Sequence, residues 1–169
     1  DKASARAAEK FDTFYSMSTM ATSSIEEIAN TSGGPKMFQI YIHKTKGLTD
    51  NLIDRCKSSG FNAMCLTVDT IVAGNREKDH RWGFTTPPRL TLKSLMSFAT
   101  HPVWSINYLT HEKFQLANVS HMTKKGSSIA KGVMEYINEQ YDPAMSWKDA
   151  EYCIKRWGGP FALKGVMSI

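Results

Sequence analysis

Four short runs of mostly apolar residues recur along the chain, and segments with helical periodicity stand between them. The runs cover residues 13–18, 37–42, 63–68 and 161–166 and predict β-strands. The third, Ala63-Met-Cys-Leu-Thr-Val68, is apolar almost throughout, as a strand covered on both faces would be. Between the first two, Ser24-Ile-Glu-Glu27 has the spacing of a capping box, and Ile25, Ile28 and Ala29 fall on one side of the helix it opens. Gly33-Gly34-Pro35 breaks the chain before the second strand. Gly47 ends a turn, and Leu52, Ile53 and Cys56 lie at helical spacing in a helix predicted over 49–59, with Gly60 as its C-terminal cap. Ser146-Trp-Lys-Asp149 is a second capping box. The helix behind it is expected to bury Trp147, Ala150, Cys153, Ile154 and Trp157 and to stop at Gly158, and Pro160 leads into the last strand.

One stretch escapes this rhythm. Residues 71–144 are rich in Pro, His, Lys and aromatic residues and only weakly periodic. That is too long for a simple connection, so it reads as an excursion with short helices of its own. The apolar face of Ile129, Val133, Met134 and Ile137 marks one of them.

Repeated strand–helix–strand order predicts an α/β fold, a parallel sheet with right-handed crossovers. An open doubly wound sheet and a (β/α)8 TIM barrel both satisfy it. No Gly-x-Gly-x-x-Gly follows any strand, which counts against a dinucleotide-binding sheet. Polar residues at the end of every strand favour the barrel. A barrel takes eight strands and roughly 250 residues, about twice what this pattern supplies.

Composition narrows the class. The chain has 169 residues, 41% hydrophobic and 22% charged, enough for one domain of ordinary size. No apolar run approaches the roughly 20 residues that cross a bilayer. The polar start, Asp1-Lys-Ala-Ser-Ala-Arg6, does not resemble a signal peptide, and a first residue other than Met suggests a start inside a longer protein. Cys56, Cys65 and Cys153 have no metal-ligand spacing and read as reduced, small hydrophobic residues. The net charge is +5, with much of the excess between residues 78 and 131. No nucleic-acid motif accompanies it, so nucleic acid is not an expected partner.

The candidate chemistry gathers at the strand ends. Thr67 and Asp69 are two apart and share a side, and Arg76 follows in the loop. Gln39 and Tyr41 share a side one strand earlier. Ser18 closes the first strand, and Lys164 sits in an otherwise apolar strand, where a cation needs an anionic partner. Parallel α/β folds keep their sites at these ends. Taken singly, each residue also has a structural reading. Ser18 and Thr67 would satisfy backbone groups, Gln39 and Tyr41 would fill a barrel interior, Asp69 and Arg76 would pair, and Lys164 would snorkel.

Four segments taken together resemble the FMN-dependent α-hydroxy-acid dehydrogenases and oxidases. They are Ser18-Thr-Met-Ala-Thr-Ser-Ser24-Ile-Glu-Glu27; Phe38-Gln-Ile-Tyr41; Leu66-Thr-Val-Asp-Thr70 with Gly74-Asn-Arg76; and Ser146-Trp-Lys-Asp149 with Leu163-Lys-Gly-Val166. The resemblance implies that the chain is a central part of a TIM barrel, about strands two to five, with the long excursion after strand four. It implies FMN as cofactor, with Ser18, Gln39 and Thr67 bonding the flavin ring system and Lys164 beside its N1–C2 carbonyl edge. Tyr41 would face the substrate hydroxyl, Arg76 would pair with the substrate carboxylate, and Asp69 would orient a catalytic histidine. That histidine belongs to a Ser-Asn-His-Gly segment beyond Ile169, so this piece alone is expected to be inactive.

His101-Pro-Val-Trp104 is closer to the respiratory L-lactate dehydrogenase branch than to glycolate oxidase. The resemblance therefore implies L-lactate as substrate and a quinone as acceptor, in a cytoplasmic homo-oligomer. The basic and aromatic excursion, 71–144, would touch the inner membrane peripherally. An oxygen-using oxidase and a non-catalytic truncated barrel acting as a scaffold are the alternatives. His43, His80, His101, His111 and His121 match no catalytic position and are expected on the surface or in loops. No metal site is expected.

Overall fold

The computed structural model describes residues 1–70, 77–81, 91–111, 116–119 and 140–167. Strands β1 (Tyr15–Ser18), β2 (Lys36–Ile40), β3 (Ala63–Thr67) and β4 (Phe161–Lys164) form one parallel sheet in the order β1-β2-β3-β4. All four predicted strands are present, each within two residues of its predicted bounds. Strand order that follows chain order means that successive crossovers all step the same way. With right-handed crossovers the helices then share one face of the sheet. This is an arc of a (β/α) barrel; a doubly wound sheet reverses its order part-way.

The helices that cover the arc are α1 (Lys2–Lys10), α2 (Ile25–Thr31), α3 (Lys46–Ser58) and α7 (Trp147–Trp157). The α2 capping box forms as expected: Ser24 Oγ accepts from the Glu27 N–H at 3.1 Å, and the Glu27 carboxylate accepts from the Ser24 N–H at 2.8 Å. At α7 the Asp149 carboxylate accepts from both the N–H (2.9 Å) and the hydroxyl (2.8 Å) of Ser146. Its negative charge sits where the helix dipole favours it. Gly158 ends α7 in the left-handed conformation, φ 71°. Helix α3 begins three residues before its predicted start, so Gly47 lies in its first turn instead of ending a separate one.

Fully buried Met17, Phe38, Ile40, Met64 and Leu66 on the strands join Ile25, Ile28, Leu52, Ile53, Cys56 and Cys153 on the helices in one core. Each such aliphatic side chain contributes about 1.5–3 kcal/mol by leaving water. All three cysteines are buried and free, and burial pushes the Cys153 thiol up to about 11 and the Cys56 thiol higher still.

Three sequence expectations change here. Helix α7 buries Ala150, Cys153 and Trp157, but Trp147 is 73% exposed and Ile154 42%. At 3.6 residues per turn, Ile154 and Trp147 lie about 65° and about 85° from the centre of the buried stripe, which puts them on its flank. His43, expected on the surface or in a loop, lies in the connection between β2 and α3 but is buried at 2% exposure. It stands three residues beyond β2, and the Tyr141 ring packs edge-on against it with centroids 5.9 Å apart. Helix α1 went unpredicted because its sequence, KASARAAEK, carries no apolar stripe, and Ala5 is its one buried residue. It is tied down by side-chain bonds instead: Lys2 pairs with Glu27 at 2.7 Å, and Glu9 accepts from the Gly33 N–H at 3.0 Å.

The excursion carries short helices, as expected: α4 (Glu77–Arg81), α5 (Leu92–Thr100) and α6 (Pro102–Thr110). The helix expected around Ile129, Val133, Met134 and Ile137 lies outside the described residues, as does Arg76. The chain regains the barrel body at two places. At 116–119, Leu116, Asn118 and Val119 are buried. Asn118 Oδ1 accepts from the Ile25 N–H (3.0 Å) and from Arg55 Nη2 (3.3 Å). At 140–142 the chain runs antiparallel to 42–44, with bonds from Lys44 N–H to Gln140 O (2.8 Å) and from Asp142 N–H to Ile42 O (3.2 Å).

Candidate functional site

Alternation along each strand sorts the residues by face. Large apolar side chains point toward the helices. The opposite face carries Ser18, Gln39, Cys65, Thr67, Ala162 and Lys164, all small or polar. Register makes neighbours of them: Ser18 opposes Gln39, Gln39 opposes Cys65, Cys65 opposes Ala162, and Thr67 opposes Lys164. The polar members gather toward the C-terminal ends of the strands, where barrel sites lie.

Ser18, Gln39 and Thr67 form one directed hydrogen-bonded row. The Met20 N–H donates to Ser18 Oγ at 3.1 Å, and Ser18 Oγ donates to Gln39 Oε1 at 3.1 Å. Gln39 Nε2 then donates to Thr67 Oγ1 at 2.7 Å and to the Ile40 carbonyl at 3.3 Å. Thr67 accepts from Gln39 through a lone pair, which leaves its own O–H available to donate. Gln39 and Thr67 are buried and Ser18 half-buried, so the row is held in fixed geometry by the sheet.

Lys164 stands beside the row, in register with Thr67. Its Nζ lies 3.7 Å from Asp69 Oδ1, and both side chains are about half exposed, at 57% and 45%. A pair this wet adds little stability; what it supplies is a cation and a carboxylate held side by side. Gly165 makes that arrangement feasible. Its φ is +102°, and a Cβ there would stand 2.6 Å from both Cβ and Cγ of Asp69. Only glycine admits Asp69 to this position. The glycine carries no signal of this role in the sequence, since neither its φ nor its close neighbour is visible there.

Tyr41 stands one residue beyond β2. Its ring stacks on Tyr141, with centroids 4.5 Å apart and planes 24° from parallel. Tyr141 went unrecognised because it lies a hundred residues away, at the end of the excursion. Burial pulls His43 down to about 4, so it is a neutral ring at ordinary pH. Burial raises the Cys65 thiol, with Lys164 opposing the effect; a protonated thiol here is lining, not a nucleophile. Among the described residues no group of three or more His, Cys, Asp or Glu is placed to hold a metal ion.

A fixed row of donors and one cation thus stand at the C-terminal rim of the parallel strands, where (β/α) barrels keep their sites. The family model described as FMN-dependent dehydrogenase matches residues 1–169, and the chain belongs to that family. Glycolate oxidase 1 of Oryza sativa subsp. indica is 34% identical over 166 residues, 98% of this chain and 39% of that protein. L-lactate dehydrogenase of Allorhizobium ampelinum is 32% identical over 164 residues, 96% of this chain and 43% of that protein. The crystal structure of the monotopic membrane protein (S)-mandelate dehydrogenase superposes with a TM-score of 0.88 at 27% identity, covering 99% of this chain and 44% of that one. The chain thus spans about two fifths of the length of the relatives it matches, and its four strands are part of the flavoenzyme barrel.

The family depends on FMN, and the donor set suits that group. The polar edge of an isoalloxazine offers carbonyl oxygens to hydroxyl, amide and ammonium donors, and its reduced form is anionic. The small side chains of Cys65 and Ala162 leave the sheet face beside those donors free of bulk.

Proposed function

We propose that the complete protein containing this chain oxidises an L-2-hydroxy acid, L-lactate first among them, to the 2-oxo acid and passes the electrons to a quinone. The observation that carries this reading is the Ser18–Gln39–Thr67 row continued by Lys164. When bound, FMN supplies the two-electron acceptor. Ser18, Gln39 and Thr67 hold its ring by hydrogen bonds. Lys164 places a positive charge where negative charge accumulates on reduction, which favours electron uptake. Tyr41 faces the substrate hydroxyl. Arg76 pairs with the substrate carboxylate through its planar fork. Asp69 orients and stabilises the protonated form of a histidine base, which comes from outside these 169 residues.

Helices α5 and α6 support a peripheral membrane contact for the excursion. Leu92, Met96, Val103, Ile106, Tyr108 and Leu109 are each at least 60% exposed. Residues 91–111 contain Lys93 and two histidines but no Asp or Glu. Apolar and aromatic side chains without carboxylates suit an anionic lipid surface. No helix among the described residues is long and apolar enough to cross a membrane.

The test uses the complete protein loaded with FMN. L-Lactate, glycolate and mandelate are mixed with it anaerobically, and the reduced enzyme is then offered oxygen or a short-chain quinone. Lactate should bleach the flavin band fastest, and quinone should restore it faster than oxygen. Faster bleaching by glycolate with reoxidation by oxygen would establish the oxidase alternative, which the glycolate oxidase relative favours. Bleaching by none of the three would refute the reading. Flotation with anionic vesicles tests the membrane part, and failure to float would remove it.

A further inference from the structure

We propose that Tyr141 is a positioning residue for the hydroxy-acid site, acting through Tyr41. This rests on the substrate role given to Tyr41 above. Tyr41 lies just beyond β2, and a ring at the end of a strand has several rotamers open to it unless something packs against it. What packs against it is Tyr141, stacked at 4.5 Å with an interplanar angle of 24°. Tyr141 is 8% exposed and has its own support. The backbone at 140–142 is stitched to 42–44 on both sides of it, through Gln140 O with Lys44 N–H at 2.8 Å and through Asp142 N–H with Ile42 O at 3.2 Å. The His43 ring meets it edge-on, centroids 5.9 Å apart and planes at 76°. Two rings and a two-stranded bridge therefore fix a flat platform, and the platform fixes the tyrosine.

The platform is contributed by the return limb of the excursion, not by the barrel strands. Where that limb docks accordingly decides how Tyr41 is presented to substrate. Placement of this kind controls rate steeply, because small displacements of a positioning group misalign the reacting atoms.

The test uses the complete FMN-loaded protein and the variants Tyr141→Phe, Tyr141→Leu and Tyr41→Ala, with the Tyr41→Ala/Tyr141→Leu double. Tyr141→Phe keeps the flat face and should stay within about twofold of the parent in kcat/KM for the hydroxy acid. Tyr141→Leu should lose about tenfold, with flavin content unchanged. The losses should not add: in the Tyr41→Ala background, Tyr141→Leu should change kcat/KM little, because the ring it positions is gone. If Tyr141→Leu does not fold, Tyr141→Met fills the space without a flat face and must show the same loss. Additive losses, or a Tyr141→Leu enzyme as active as the parent while Tyr41→Ala is impaired, would overturn the role of Tyr141 alone. A Tyr41→Ala enzyme with unchanged kcat/KM would overturn the role of Tyr41, and that of Tyr141 with it.

Discussion

Gly165 and His43 show what single residues contribute beyond the motif. An alanine Cβ at 165 would stand 2.6 Å from Asp69, so either the φ of +102° or the carboxylate must move. Gly165→Ala in the complete protein should lower kcat for the hydroxy acid by at least about tenfold, since the carboxylate proposed to orient the base is displaced. Steady-state kinetics with a parent-like kcat would contradict this. His43 sets a pH dependence. Its folded value of about 4 lies below the ordinary histidine value of 6.5, because burial disfavours the charged ring. The unfolded chain then binds more protons between those values. The stability contribution is complete above about 6.5 and is lost as pH falls toward 4, up to on the order of 3 kcal/mol. Denaturant melts should show that slope in the parent and not in His43→Phe. The Glu26 carboxylate, held at about 2 by its hydrogen bonds to Arg55, loses its own contribution as pH falls from about 4.5 toward 2 in parent and variant alike, so it cancels from the comparison. In sequence, Ser18, Gln39, Thr67 and Lys164 were legible because polar residues at the ends of apolar strands stand out. His43 and Gly165 were not, since burial after a strand end and a positive φ are properties of the folded chain.

At the scale of elements, local chemistry was readable where it ended in a cap and unreadable where it ended in a distant partner. The Ser24–Glu27 and Ser146–Asp149 spacings announced α2 and α7, and Gly158 announced the stop. Helix α1 has no such stripe or box, and its bonds to Glu27 and Gly33 reach across more than twenty residues. The 116–119 anchor is further still from its partners, with Asn118 meeting Ile25 across 93 residues. Asn118→Ala leaves the Ile25 N–H and Arg55 without that acceptor in a buried setting. The change should cost about 2 kcal/mol and speed proteolytic cleavage of the excursion. A variant with parent-like melting and cleavage would show that the anchor is not what ties the excursion down.

For the whole molecule, the order of apolar runs and helices announced a parallel α/β sheet but fitted a barrel and a doubly wound sheet equally; polar residues at the strand ends and the lack of a Gly-x-Gly-x-x-Gly turned the choice to the barrel. The site was legible only in part. Tyr141 lies a hundred residues from Tyr41, and stacking between them is a property of the folded chain. Strands β1 and β4 each pair on one side among the described residues, and the chain spans about two fifths of its relatives. The chemistry proposed for it therefore belongs to the complete barrel. The central claim is that the row ending in Lys164 holds the flavin and drives its reduction. Its most direct test is the anaerobic rate at which a hydroxy acid bleaches the flavin in Lys164→Met, compared with the parent complete protein. Loss of a fixed charge at the site of charge development should slow bleaching by about a hundredfold while flavin remains bound; a rate equal to the parent's would contradict the account.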